Sequence, residues 1–229
     1  MTDFSIAKRY IIYVTGLFLL SLGVVLNVRS ALGTTPISSI NYVVSINTPL
    51  SLGTCTFAIN MLLIIGQFLI LGRRCSRVDA VEILLQIPFS FIFSAFIDAN
   101  MYLTRSFVPG NYLISFAAFA LGCLVQALGV TLELKPNVSK MSAEAFVAYA
   151  AERFNKPFDR LKVIFDLSLV STAIVVSLCF SGRIEGVREG SLIAAATTGI
   201  LVGLISRHIV TRHNASIAAH TLRRILPSR

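Results

Sequence analysis

The chain has 229 residues, of which 55% are hydrophobic and only 14% charged, and its mean hydropathy is +0.78. A soluble domain of this size carries about 25% charged residues, so the composition excludes an ordinary soluble globular protein and points to an integral membrane protein. The formal net charge of +9 does not indicate a nucleic-acid binder, because the basic residues stand between apolar runs instead of sharing one face.

The first apolar run covers residues 10–28, behind Lys8 and Arg9. It is too long for the apolar core of a signal peptide and no small-residue cleavage pattern follows it. At about 1.5 Å per residue it spans a hydrocarbon core of roughly 30 Å. Five further runs of similar length follow at residues 52–71, 81–103, 111–132, 161–180 and 191–210. Pro88 lies inside the third and is expected to kink it by removing a backbone donor. Gly199 and Gly203 form a GxxxG in the sixth, which serves packing within one subunit or a homodimer seam. Residues 211–229 carry Arg212, Arg223, Arg224 and Arg229 and no acid, and this tail is expected to lie on anionic lipid.

Topology follows from lysine and arginine. With the N-terminus in the cytoplasm, sixteen basic residues fall on inner segments and four on outer ones. The positive-inside rule therefore places both termini in the cytoplasm.

The chain reads as one unit written twice. LGVVLNVRSALGTTPISSI from Leu22 and LGVTLELKPNVSKMSAEAF from Leu128 align at an offset of 106 residues, and the same offset carries FAIN (ending at Asn60) onto VIFD (ending at Asp166). Three crossings per copy is an odd number, so the copies are expected to be inverted in the membrane, as in secondary transporters that alternate access around a midplane site. The expected organisation is an all-α membrane protein of six transmembrane helices in two inverted three-helix repeats, residues 1–105 and 106–210, followed by the tail.

Two connections are too long to be simple turns and occupy equivalent places in the two copies. In the first, Thr35 precedes Pro36 and an apolar-periodic run, a helix start. In the second, Ser142 is a candidate cap for an alanine-rich helix. These helices, within residues 31–47 and 139–154, are about half a membrane long and are expected to be re-entrant; the alternative is amphipathic helices on the membrane surface.

Polar groups within a bilayer core are costly and are therefore site candidates. Asn60 and Asp166, mates under the repeat, lie within the second and fifth runs. Asp166 is a candidate for ion or proton coupling, with a plain ion pair to Lys162 or Arg160 as the alternative. Glu82 and Gln86 stand four apart on the third run, and Glu82 is the second coupling candidate. Glu133 and Lys135 close the fourth run as Asn27 and Arg29 close the first. The partial positive charge at half-helix N-termini, reinforced by Arg29 and Lys135, favours an anionic or zwitterionic solute. The expected solute site thus comprises Asn60, Gln86, Asp166, Thr35, Ser142, Arg29 and Lys135. Cys55, Cys75, Cys123 and Cys179 show no paired spacing, and no metal-ligand, nucleophile or phosphate-loop motif appears, so neither an enzyme nor a cofactor is expected.

ALGTTPISSINYVVS, SAEAFVAYAAERFNKPFDRLKVIFDLSLV and REGSLIAAATTGILVG resemble the YczE/YyaS-type membrane proteins of bacteria, within the broader YitT grouping. The resemblance covers roughly Lys8 to Arg207 and implies a multi-pass protein of the bacterial inner membrane without an established general substrate. The resulting expectation is a small secondary transporter. An accessory or scaffold membrane protein, or a substrate-binding subunit of a multi-component importer, is the alternative.

Overall fold

The apolar runs become the long helices, and local capping chemistry sets their ends. A computed structural model describes residues 6–136, 138–183, 186, 188, 190 and 191. In order these form α1 (Ile6–Ser30), α2 (Pro36–Asn47), α3 (Leu52–Leu71), a short 3-10 turn (Gly72–Arg74), α4 (Arg77–Leu103), α5 (Tyr112–Leu134), α6 (Ser142–Phe154) and α7 (Phe158–Ser181). No strand occurs among the described residues. The serine hydroxyl of Ser51 accepts the Thr54 amide at 3.0 Å to start α3. Ser76 and Asp79 form a reciprocal capping box at α4, and Asn111 accepts the Ile114 amide at 2.9 Å at α5. These contacts satisfy backbone donors that a helix start leaves open. α4 continues as helix through Pro88. The sixth apolar run beyond Ser191, the Gly199–Gly203 pair and the basic tail lie outside the described residues.

Five helices, α1, α3, α4, α5 and α7, are long and apolar enough to cross a membrane. Their side-chain distribution differs from that of a soluble protein in that large apolar side chains cover the outside while several amides and an acid are buried. Leu62, Ile65 and Leu69 on α3 and Leu113, Phe116 and Leu121 on α5 are exposed, whereas Asn27, Asn60, Gln67, Gln86, Asn100, Gln126 and Glu133 are buried. Apolar outer faces around a polar interior suit a lipid solvent, where side-chain amides must find partners inside the bundle. The chain is an all-α, multi-pass membrane protein.

α1 is the centre of the packing. Its Tyr13, Leu17, Leu20, Val24, Val25 and Val28 form one core cluster with Leu52 of α3 and Phe89, Phe93 and Ile97 of α4. Its other side lies against α5 along most of its length. That crossing is antiparallel and unusually close. Gly16 meets Glu133, Leu20 meets Gly129, Gly23 meets Gln126 and Asn27 meets Gly122. In all four pairs the residue numbers add to 149, the mark of an unbroken antiparallel register. Each pair sets a glycine against a larger residue, so the backbones approach where a side chain would stand between them.

The two short helices fall inside the expected stretches, α2 starting at Pro36 and α6 at Ser142. α1 ends at Ser30, Ala31 follows with φ 56°, and the chain reverses through Gly33 (φ 137°) before α2 begins. Only glycine tolerates that φ freely, and a methyl at Gly33 would also strike Ser191. Thr35 is the N-cap of α2 as expected, although its hydroxyl donates to Ser38 Oγ at 3.0 Å and caps no backbone amide. Ser142 is not the cap of α6. Met141 holds that position, and Ser142 is the first helical residue, its hydroxyl drawn instead to a side chain of α3. α2 packs on α7 and α6 packs on α3.

Candidate functional site

The densest buried polar group forms where α6 begins. The Ser142 hydroxyl donates to Asn60 Oδ1 at 2.7 Å. The Ser142 carbonyl accepts from Gln67 Nε2 at 3.1 Å. Gln67 and Gln86 then exchange both amide bonds, each at 2.9 Å. α3 supplies Asn60 and Gln67 from one face, seven residues apart, because residues two turns apart align along a helix. α4 supplies Gln86, and α6 supplies Ser142. All four side chains are buried. One donor is left over: Asn60 Nδ2 has no hydrogen-bond partner. A buried amide left half-satisfied in a low dielectric is costly.

The α6 start touches a second polar group. Glu133, near the end of α5 and 3% exposed, has the Met141 backbone amide against its carboxyl. Tyr13 of α1 is fully buried, with the Glu133 carboxyl and the Ser139 side chain near its hydroxyl. Residues 141 and 142 therefore face two different polar groups, Glu133 on α5 and Asn60 with Gln67 on α3.

The start of α2 carries a different set, made of hydroxyls. Thr34 Oγ1 lies 2.9 Å from Ser39 Oγ, and the Thr34 amide donates to Ser191 Oγ at 3.1 Å. Thr35 belongs to this set through Ser38. Asn41, further along α2, donates to Thr56 Oγ1 of α3 at 3.1 Å.

Of the residues expected from sequence to form one solute site, the structure brings Asn60, Gln86 and Ser142 together and disperses the others. Arg29 donates to the Met101 carbonyl at 2.8 Å, capping the end of α4. Lys135 is the C-cap residue of α5, its amide on the Thr131 carbonyl. Asp166 pairs with Lys162 at 2.7 Å, one turn away on α7, and both side chains are about a third exposed (28% and 31%). Glu82 is exposed, 3.5 Å from the Tyr149 hydroxyl. Gln67 is a member of the group that the sequence reading does not include. Its signal is present all the same, as a lone amide in an apolar run at the two-turn spacing from Asn60.

A cleft of about 530 Å³ opens elsewhere, between α2 and α4 beside Asp98. The Asp98 carboxylate is already occupied there, accepting from Ser51 Oγ at 2.7 Å and the Gly53 amide at 2.8 Å. It braces the start of α3, and the cleft does not reach the Asn60 group.

The protein is similar to a protein of Bacillus subtilis (strain 168) named Uncharacterized protein YyaS, at 23% identity over 211 residues, covering 90% of this chain and 98% of that one. No solved structure matches the chain. The YyaS-type resemblance thus extends over nearly the whole molecule, and a family model spanning residues 7–207 covers every described helix except the first residue of α1. The chain belongs to the family of unknown function DUF6198.

Proposed function

We propose that this protein is a small secondary transporter that moves an anionic or zwitterionic solute across the bacterial inner membrane by alternating access. The observation that carries the proposal is a set of helix contacts that the repeat offset carries onto one another. The repeat offset of 106 residues turns the contact Gly23–Gln126 into Gly129–Leu20, and Gly16–Glu133 into Gly122–Asn27. The same offset turns α2 on α7 into α6 on α3. An antiparallel pair of helices that maps onto itself is what two inverted repeats produce, and inverted repeats support exchange between inward-open and outward-open states.

The symmetry also gives depth. A residue faces its own mate where 149 − i equals i + 106, between Ser21 and Leu22, opposite Ala127 and Leu128. With the membrane midplane there, Asn27 and Glu133 lie about 8 Å to either side at about 1.5 Å per residue, within a hydrocarbon half-thickness of roughly 15 Å. Because α6 starts against Glu133 and against Asn60 in the middle of α3, its first turn belongs inside the membrane. This supports a re-entrant helix over one lying on the surface. The buried helix start carries partial positive charge, and Asn60 Nδ2 offers a donor with no partner. Both favour a solute bearing a carboxylate or another acceptor group. On this reading Asn60, Ser142 and Gln86, with Gln67, form the solute site, and Arg29, Lys135 and Thr35 flank the two entrances. Both termini lie in the cytoplasm, in keeping with the distribution of lysine and arginine.

The test is accessibility at the α6 start. The four native cysteines are replaced by alanine, Ser142→Cys is introduced, and vesicles of both orientations are treated with a membrane-impermeant thiol reagent. A carrier gives labelling from both faces, in a ratio that shifts when solute is added. Labelling from one face or from neither rejects alternating access and favours a scaffold protein or the binding subunit of a larger importer.

A further inference from the structure

We propose that the interface between α3 and α4 is a polar path through the bundle, along which water and small polar solutes pass between the Asp98 cleft and the Asn60 group. As the route of a transported solute it rests on the function proposed above; as a hydrated path it stands alone.

α4 carries two ridges of different chemistry. Phe89, Phe93 and Ile97 pack in the apolar core with α1. Beside them, at four-residue spacing, stand Glu82, Gln86, Ser90, Ser94 and Asp98. Residues four apart lie along one helix face, so this polar ridge runs nearly the full length of α4. It lies against α3. Gln86 meets Gln67, Asp98 accepts from the Gly53 amide, and the Phe91 and Phe57 rings stand 5.9 Å apart. The residue numbers of these pairs add to 153, 151 and 148, as a single antiparallel register requires. Between them, that register sets Asn60 across from Ser90 and Thr56 across from Ser94. All four are buried.

The two short helices reach the same stretch of α3. Asn41 of α2 donates to Thr56 at 3.1 Å, and Ser142 of α6 donates to Asn60 at 2.7 Å, one turn along. Three buried side-chain atoms here have no hydrogen-bond partner among the described residues: Asn41 Oδ1, Asn60 Nδ2 and Ser94 Oγ. They are one acceptor, one donor and one hydroxyl able to be either, on side chains no more than 5% exposed. Each is costly to bury unsatisfied. Together they suit small molecules that both donate and accept, water first among them. The cleft between α2 and α4 reaches Ser51, Leu52 and Asp98 at one end of the ridge, and Ser94 and Ser90 follow Asp98 one and two turns deeper. The other face of α4 argues the same way. Parting α4 from α1 would expose phenylalanines to water, whereas parting it from α3 along the ridge exposes hydroxyls and amides that water can satisfy. The polar ridge is therefore the side on which α4 yields to water with the smaller loss of free energy.

The test is thiol reactivity around α4. With the four native cysteines replaced by alanine, Ser90→Cys, Ser94→Cys, Ala95→Cys and Ile97→Cys are made singly in the full chain and treated in lipid vesicles with a small hydrophilic methanethiosulfonate. Ala95 is exposed on the outside of α4 next to Ser94, and Ile97 belongs to the apolar ridge. A thiol reacts as its thiolate, which forms where water reaches it, so Ser90→Cys and Ser94→Cys should react at least about tenfold faster than both controls. If Ser94→Cys fails to fold, Thr56→Cys on the facing helix takes its place beside Ser90→Cys. Reaction at the ridge positions no faster than at Ala95→Cys and Ile97→Cys overturns the proposal. Reactive ridge positions in a protein labelled from one face at Ser142→Cys would reject the carrier and leave the hydrated path; dual-face labelling of Ser142→Cys with a silent ridge would do the opposite.

Discussion

The close crossing of α1 and α5 makes a prediction whose sign is set by competing magnitudes. Gly23→Ala puts a methyl carbon 2.5 Å from the Gln126 backbone nitrogen, where ordinary contact begins near 3.4 Å. Neither backbone can rotate out of the way, so the helices must part by roughly 1 Å. A gap of that size forfeits a quarter to a half of each dispersion contact across it, and overpacking of this kind costs about 1–3 kcal/mol. Alanine recovers about 1 kcal/mol of helix propensity. The clash offsets or exceeds that gain, and a net loss of up to about 2 kcal/mol is expected. The assay is thermal unfolding in detergent, where each kcal/mol moves the midpoint by roughly 2–4 °C for a chain of this size. Gly129→Ala, its equivalent under the repeat, should lose a similar amount. Gly110→Ala, with nothing within 4 Å of the added carbon, should be neutral. If Gly23→Ala melts at or above the wild-type temperature, the gain in helix propensity exceeds the clash and the helices are not in backbone contact. If Gly23→Ala and Gly129→Ala differ widely, the two halves of the crossing are not equivalent.

Three further outcomes are expected. Gln67→Leu should cost about 1–3 kcal/mol by stranding the Gln86 amide, while Gln67→Leu with Gln86→Leu should cost less than the sum of the two single changes; a four-way comparison of unfolding midpoints checks this. Asp166→Asn should change stability by less than about 1 kcal/mol, because its partner Lys162 is one turn away and both are solvent-accessible; a larger loss in the same melt would place Asp166 in the packing. Arg29→Ala should destabilise by about 1–2 kcal/mol through the loss of its bond to the Met101 carbonyl at the end of α4, and Arg29→Lys should recover only part of this, since a single ammonium cannot reproduce the fork.

The spans were legible in the sequence because hydrocarbon thickness fixes their length, and the first five runs reappear as helices with ends shifted by about a turn. The short helices were legible because Thr35-Pro36 and the alanine-rich stretch after Ser142 are local signals. Orientation about the helix axis was not legible. A soluble helix reveals its buried face through its polar one, but α3 and α5 turn leucines to lipid and small residues with a few amides to the interior, so the usual polar-outside period is absent and the sequence offers no simple guide to the buried face. Asp166 and Glu133 look alike on that basis, each a lone acid in an apolar run. Only packing separates them, one in an ion pair on the side of α7, the other 3% exposed beneath α6. Ser142 illustrates a finer limit: the helix begins one residue earlier than its hydroxyl suggests, because that hydroxyl has a partner on α3 that no local pattern records.

On the proposed reading, symmetry and its breaking have separate tasks. A frame whose halves were identical would have inward-open and outward-open states of equal free energy, since exchanging the halves exchanges the states. Any preference between them then arises only where the halves differ. Among the described residues such differences include Glu133 against Asn27, Tyr13 against Phe119, Ser142 against Pro36 and Asn60 against Asp166. The glycine seam, by contrast, is kept in both copies, with Gly16 and Gly23 recurring as Gly122 and Gly129. On that reading the geometry shared by the two halves of the seam supplies near-degeneracy, and the residues that differ between the halves supply the bias.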